Sequence, residues 1–182
     1  MNPTLRLVAN VVGYQTVWVA SVAGAGQGLA WTGPLAALLF VAAVLAFGGK
    51  ARHDLRILGI ALAVGFVLDS AFAASGWLRY AEPIPWTFAA PVWIWSLWAG
   101  FAMTLNHSMD FLRGRPWACA VFGLVGGPLA YLAAARAFDA VSFGVPLAWA
   151  MAALALGWAV VMPLLYALDQ RLASPRPRKA AA

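Results

Sequence analysis

The stretch Pro85–Arg115, PWTFAAPVWIWSLWAGFAMTLNHSMDFLRGR, decides how this chain is read. It opens on closely spaced tryptophans, continues as an apolar segment, and closes on Asn106, His107, Ser108, Asp110 and two arginines. At roughly 100° per residue, Trp93, Ser96, Gly100, Thr104, His107 and Asp110 fall on one helical face, and Trp98 points almost the opposite way. The stretch predicts a transmembrane helix over 88–111 with an inward polar side and a lipid side.

The rest of the chain supports that class. Of its 182 residues, 64% are hydrophobic and 10% charged, against about 25% charged in an ordinary soluble domain. Mean hydropathy is +0.81. A soluble fold of this composition would need helices apolar on every side, which only a lipid-exposed bundle permits. The expectation is an all-α, polytopic membrane protein: one bundle of six transmembrane helices over 5–24, 29–47, 55–77, 88–111, 117–137 and 145–168. Each matches the roughly twenty residues needed for a hydrocarbon core of about 30 Å. Residues 169–182 read as a basic tail, too short and polar to fold alone.

Ala23-Gly24-Ala25 superficially matches a signal-peptidase site. Asn10 and Gln15 interrupt the apolar run before it and another span follows at once, so the first segment reads as an uncleaved anchor. Arg6, then Lys50, Arg52 and Arg56, then Arg113 and Arg115, then Arg171, Arg176, Arg178 and Lys179 fall on one side of a six-span topology. Of the 12 basic residues only Arg79 and Arg136 remain for the other side. By the positive-inside rule both termini are cytoplasmic and the tail with them. The net charge of +6 is thus spent on orientation, and no single face gathers enough Lys and Arg for nucleic acid. Cys119 is the only cysteine, so no intramolecular disulfide forms.

Asp69 is the sharpest single signal, because an acid at depth costs at least about 2.5 kcal/mol on insertion scales and avoids lipid. It is expected to face inward, on a small-residue face with Gly65 and Ala73, and to act as a proton site, a substrate anchor or a structural hydrogen-bond acceptor. Gln15, Tyr131 or an indole would be its partner. Trp86, Trp93, Trp95 and Trp98, with Trp77 and Trp149, suit an interfacial aromatic belt, yet Trp93 lies on the inward stripe. An outer-half cavity lined by Asp69, Gln15, Trp93 and Tyr131 follows, fit for a largely apolar ligand. Arg79 and Arg136 near the same surface read as snorkelling residues or as a site for an anionic headgroup.

At the cytoplasmic end, Asn106, His107 and Asp110, together with His53 and Asp54, form a second candidate cluster. Imidazole and carboxylate suit acid–base or metal chemistry, but two histidines without HExxH-like spacing predict no metal site. Gly123 and Gly127 form a GxxxG pair for close helix packing. A weak internal echo links Gly65 with Asp69 and Gly127 with Tyr131, a glycine four residues before a polar group in two separate segments.

Five motifs in order resemble a family. They are N-x3-Y-Q-x2-W from Asn10 to Trp18, Asp69, P-x-W-x-W-x2-W from Pro91 to Trp98, TLNHSMDFL from Thr104 to Leu112 and GLVGGPLAY from Gly123 to Tyr131. Together they resemble DUF2878, a bacterial family of small membrane proteins of unknown function. The resemblance implies a multi-pass protein of the bacterial inner membrane and carries no reaction with it. Catalytic signatures such as GxSxG, HExxH or a phosphate-binding glycine loop with lysine are lacking, as is any mark of a cofactor or a set oligomeric state. The expected function is binding or modification of a lipid or other apolar molecule, with membrane lipids as surroundings. A small transporter using Asp69, or an accessory subunit of a membrane complex, is the alternative.

Overall fold

Six helices account for most of residues 2–173, the part of the chain that the computed structural model describes. They are α1 (Pro3–Gly26), α2 (Thr32–Phe47), α3 (Ala51–Ala74), α4 (Val92–Leu105), α5 (Pro116–Phe138) and α6 (Leu147–Ala173). Two short strands, β1 (Leu78–Tyr80) and β2 (Val141–Phe143), pair antiparallel with Arg79 opposite Ser142. The fold is otherwise all-α.

Local chemistry sets the helix ends. The Asn2 side chain accepts from Thr4 N at 3.0 Å with Pro3 opening α1, and Pro116 opens α5. Just past α2, Gly49 adopts φ +75°, a conformation that glycine reaches without strain. Asp139 takes the left-handed region at φ 53° to end α5.

The largest departure from the sequence expectation is α4. It spans 14 residues, not the whole of 88–111. At about 1.5 Å per residue that is roughly 21 Å, short of a core of about 30 Å. Residues before Val92 are irregular, held by prolines at 83, 85 and 91. At the other end Thr104 O accepts from both His107 N at 3.0 Å and Met109 N at 2.9 Å, which closes the helix into turns. The chain then makes a 3-10 turn over Asp110–Leu112. The exposed side of α4 is narrow, reduced to Trp95 with the half-buried Val92, Leu97 and Ala99. Trp93, Ile94, Ser96, Trp98 and everything from Gly100 to Leu105 are buried, so the assignment of Trp98 to lipid is corrected. A short helix with irregular flanks is tolerated at membrane depth because protein surrounds it and satisfies its backbone.

Four helices, α1, α3, α5 and α6, are long and apolar enough to cross a membrane; α2, with 16 residues, is shorter like α4. Helix α6 continues through Asp169 to Ala173, which the sequence places in the tail; the rest of that tail, 174–182, lies outside the described residues.

Helix α4 lies among α1, α2 and α3, while α5 and α6 pack along each other and α6 reaches α3. Side chains such as Leu38, Leu39, Val67, Val121, Leu156 and Val160 point outward and exposed, an apolar exterior that marks a membrane protein. Successive helices alternate in direction. One end of the bundle collects the start of α1, the α2–α3 turn, residues 106–115 and the end of α6; the other carries the β1–β2 pair.

Candidate functional site

Asp69 lies on α3, five residues before its end, and is fully buried. Its Oδ1 accepts from Tyr80 Oη at 2.7 Å and from Tyr131 Oη; its Oδ2 accepts from Trp98 Nε1 at 2.6 Å. Four elements therefore converge on one carboxylate: α3, β1, α4 and α5. No cation pairs with it among the described residues. Three neutral donors are the sole compensation for its burial, which makes the cluster costly to open. Burial pushes the Tyr80 hydroxyl well above the ordinary tyrosine range, and the nearby Asp69 charge adds to that.

Glycines make room for the donors. A Cβ at Gly65 would collide with the Trp98 indole, and a Cβ at Gly127 with the Trp158 ring. Those two indoles stack, with centroids 4.8 Å apart and planes 6° from parallel. Four residues beyond each glycine, Asp69 and Tyr131 hydrogen-bond to each other. The same local unit thus occurs twice: a glycine that seats a tryptophan from the next helix, then a polar group one turn on. Gly123 lies where a Cβ would meet the Trp158 backbone, at the contact of α5 with α6.

In front of this cluster lies a cavity of about 470 Å³ between α1 and α5, floored by α4. Its lining runs from Tyr14, Gln15 and Trp18 past Trp98 and Phe101 to Phe122, Gly126, Tyr131 and Trp158. No Lys, Arg, His, Asp or Glu lines it. The expected four-residue lining therefore divides. Tyr131 and Gln15 face the cavity; Asp69 is screened from it by Tyr131 and Trp98. Trp93 borders a separate void of about 30 Å³ and donates to Ala81 O at 2.8 Å. Gln15 is exposed on α1 and makes no bond to Asp69, because α4 stands between α1 and α3. The indole nitrogen of Trp158 is buried beside the Tyr131 hydroxyl and interacts with it, outside the geometry of a full hydrogen bond.

The second cluster forms at the end that holds the start of α1 and the end of α6. Asp54, fully buried, accepts from Asn106 Nδ2 at 2.9 Å and from His107 Nε2 at 3.0 Å. His53, one residue earlier and so turned by about 100°, is exposed and takes no part. Asp110 is also exposed and joins only at the edge, through Arg113 Nε at 3.0 Å. Arg113 further donates to Asn106 Oδ1 and reaches Asp169 Oδ2 at 2.9 Å, while Arg56 Nε reaches Asp169 Oδ1 at 2.7 Å. Partial burial works against the Arg113 charge, but the bonds to Asp169 and Asp110 outweigh it and raise its pKa. Asn10 ties α1 to the same end, donating to Met103 O at 3.0 Å and accepting from Ser108 Oγ at 2.6 Å. Among the described residues no three His, Cys, Asp or Glu side chains come together as metal ligands.

Sequence reasoning missed Tyr80, Trp98, Trp158 and Asp169. For Asp169 a signal existed: it continues the buried helical face of Leu165 and Tyr166. The model of one protein family, described as a protein of unknown function, DUF2878, matches residues 7–164. No curated protein and no solved structure matches the chain.

Proposed function

We propose, for a chain that belongs to the DUF2878 family, that it is a multi-pass membrane protein binding a largely apolar small molecule in the cavity between α1 and α5. The observation that carries this is the cavity itself: about 470 Å³, within the range of ligand sites, with an apolar wall and a few convergent polar groups. Its rim is made by Val11, Gln15, Phe122 and Leu129, exposed residues of α1 and α5, so a molecule dissolved in the bilayer would enter sideways. Asp69 is a positioning residue in this scheme. It spends its acceptors on Tyr131, Trp98 and Tyr80 and holds the first two as cavity wall. A solute pathway through Asp69 is disfavoured by the same three bonds.

Residence in a bacterial inner membrane with both termini cytoplasmic belongs to the proposal, with all six helices crossing. Helices α2 and α4 would be completed by their flanking segments. A reporter fused after Ala182 is expected to behave as cytosolic, and outer-side activity there would reverse the orientation.

Gly126 supplies the test of binding. It lines the cavity, yet a Cβ there meets nothing nearer than Phe122 at 3.7 Å, so Gly126→Leu fills the space without forcing the helices apart. A sixteen-carbon aliphatic diazirine should label peptides containing Val11–Trp18 and Phe122–Tyr131, and Gly126→Leu should abolish that labelling. Uniform labelling of the outer faces, equal in both proteins, would defeat the proposal.

A further inference from the structure

One hydroxyl in the cavity wall is left open by the protein. Of the four tyrosines, three are bonded internally: Tyr80 and Tyr131 to Asp69, and Tyr166 to Leu105 O and Met109 O. The fourth, Tyr14, lines the cavity from α1, and its hydroxyl makes no hydrogen bond among the described residues. Its ring is nonetheless held in place. The Phe101 ring lies 5.9 Å away between centroids, and a Cβ on Gly100 would come within 3.3 Å of the tyrosine, so the α4 backbone supports the ring at that glycine. A donor fixed at membrane depth without an acceptor carries a cost that a ligand oxygen would remove.

Its depth narrows the source of that oxygen. Tyr14 lies eleven residues from the start of α1 and twelve from its end. At about 1.5 Å per residue that is about 17 Å from either, the middle of a hydrocarbon core of about 30 Å. The ester carbonyls of glycerolipids lie at the headgroup boundary, about 15 Å away, and do not reach it. A carboxylate is excluded as well, because no basic residue lines the cavity.

Among neutral groups a carbonyl fits better than a hydroxyl. It accepts from Tyr14 and brings no hydrogen of its own. A hydroxyl brings one that then needs an acceptor, and the other polar side chains of the lining are engaged or turned away. Thr104 Oγ1 donates to Phe101 O at 2.6 Å, Ser108 Oγ to Asn10 at 2.6 Å and Tyr131 Oη to Asp69. Gln15, one residue on from Tyr14, is turned by about 100° to the rim.

We infer that the cavity takes a neutral ketone-type molecule dissolved in the hydrocarbon core, its carbonyl oxygen accepting from Tyr14 Oη midway across the membrane. This rests on the cavity being a binding site.

The experiment is competition against the diazirine label on protein in nanodiscs, using heptadecan-9-one, heptadecan-9-ol, heptadecane and methyl hexadecanoate, which share one carbon count and differ in their oxygen. The ketone is expected to compete about tenfold better than the alkane, the factor that one hydrogen bond supplies. Tyr14→Phe should remove that advantage while leaving both competition by the alkane and the unfolding midpoint unchanged, since the hydroxyl has no protein partner to lose. If ketone and alkane compete equally in the natural protein, the carbonyl assignment is wrong while the cavity stands. An advantage that survives Tyr14→Phe, or a lowered midpoint in that variant, overturns the role of the hydroxyl. Equal competition by the alcohol overturns the carbonyl, and equal competition by the ester overturns the depth. If no compound competes, the ketone assignment falls; if Gly126→Leu then also labels like the natural protein, the binding site falls with it.

Discussion

Trp98 donates its indole N–H to Asp69 at 2.6 Å, so that the carboxylate on α3 is held by a ring projecting from α4. The face of that ring lies on Trp158 of α6, and Phe101 meets both indoles edge-on. One side chain thereby fixes the distance between the α3–α4 half of the bundle and the α5–α6 half, and it forms the back of the cavity while doing so. Stacked and edge-to-face ring pairs are worth about 0.5–1.5 kcal/mol each beyond their burial. The predictions below test how far this cluster, and its counterpart at the other end, hold the molecule together.

Replacement of Asp69 by Asn should destabilise the protein strongly. Asparagine keeps one acceptor oxygen and turns an NH2 group toward donors that already point inward. At least one of Tyr80, Tyr131 and Trp98 would then lack a partner, at about 1–3 kcal/mol for each buried group. Thermal unfolding in detergent is the measurement, and a midpoint drop of several degrees is expected. An unchanged midpoint would show that the three bonds contribute little.

Two glycines of α3 should respond oppositely to alanine. At Gly65 a methyl group runs into the Trp98 indole, a ring held on both faces and by its N–H, so about 1–3 kcal/mol should be lost. At Gly59 nothing lies within 4 Å of the added carbon. There the gain in helix propensity should stabilise by about 0.5–1 kcal/mol. Equal effects at both positions would mean that Trp98 can leave its slot freely.

The contrast between these glycines shows what the sequence exposes and what it hides. The cost of a buried acid makes the inward placement of Asp69 legible, and the four-residue spacing of Gly65 with Asp69 and Gly127 with Tyr131 is visible as text. The partners are not. A helical wheel divides α4 into lipid and inner faces and so sends Trp98 outward, but α4 is exposed only along a narrow edge at Trp95, and Trp98 is buried. Tyr80 reaches Asp69 only because β1 pairs with β2, a contact between residues about sixty apart that no local pattern encodes. At the other end, Asp54 and His107 bond to each other while His53 does not join them. Adjacent residues on a helix cannot both face one partner, and charge pattern alone does not say which one does.

Tyr80 predicts a dependence on alkaline pH. Its proton is held more tightly in the folded chain than in the unfolded one, first by burial and then by Asp69. Above pH 10 the unfolded chain releases that proton while the folded chain keeps it, so the stabilisation is complete below pH 10 and declines as pH rises. The slope for this one group is up to about 1.4 kcal/mol per pH unit. Tyr80→Phe should be less stable than the natural protein near pH 8, through loss of the Asp69 bond, yet lose less on further alkalinisation. Stability curves that stay parallel above pH 10 would contradict this.

The end of the bundle that gathers the start of α1 and the end of α6 gives the most demanding prediction, because Asp169 there is held by two arginines at once. Its side chain is 2% exposed, against 24% for Arg56 and 31% for Arg113. Removing either arginine leaves the carboxylate one charged partner, so Arg56→Ala and Arg113→Ala should each cost about 1–2 kcal/mol. Removing both strands a buried charge, a situation worth about 3–5 kcal/mol. The double variant should therefore fall below the sum of the single ones by 1 kcal/mol or more, a coupling of the size found for shared networks. Adding Asp169→Asn to the double variant should recover part of the loss, since the stranded charge is then gone. Arg113 also lies 5.2 Å from the centre of the Tyr166 ring, and Tyr166 donates to Met109 O at 2.8 Å, so some cost of Arg113→Ala will persist in the triple variant. Chemical denaturation of the five proteins involved measures all of these terms. Strict additivity without recovery would mean that water reaches Asp169 and that the two arginines act on it independently.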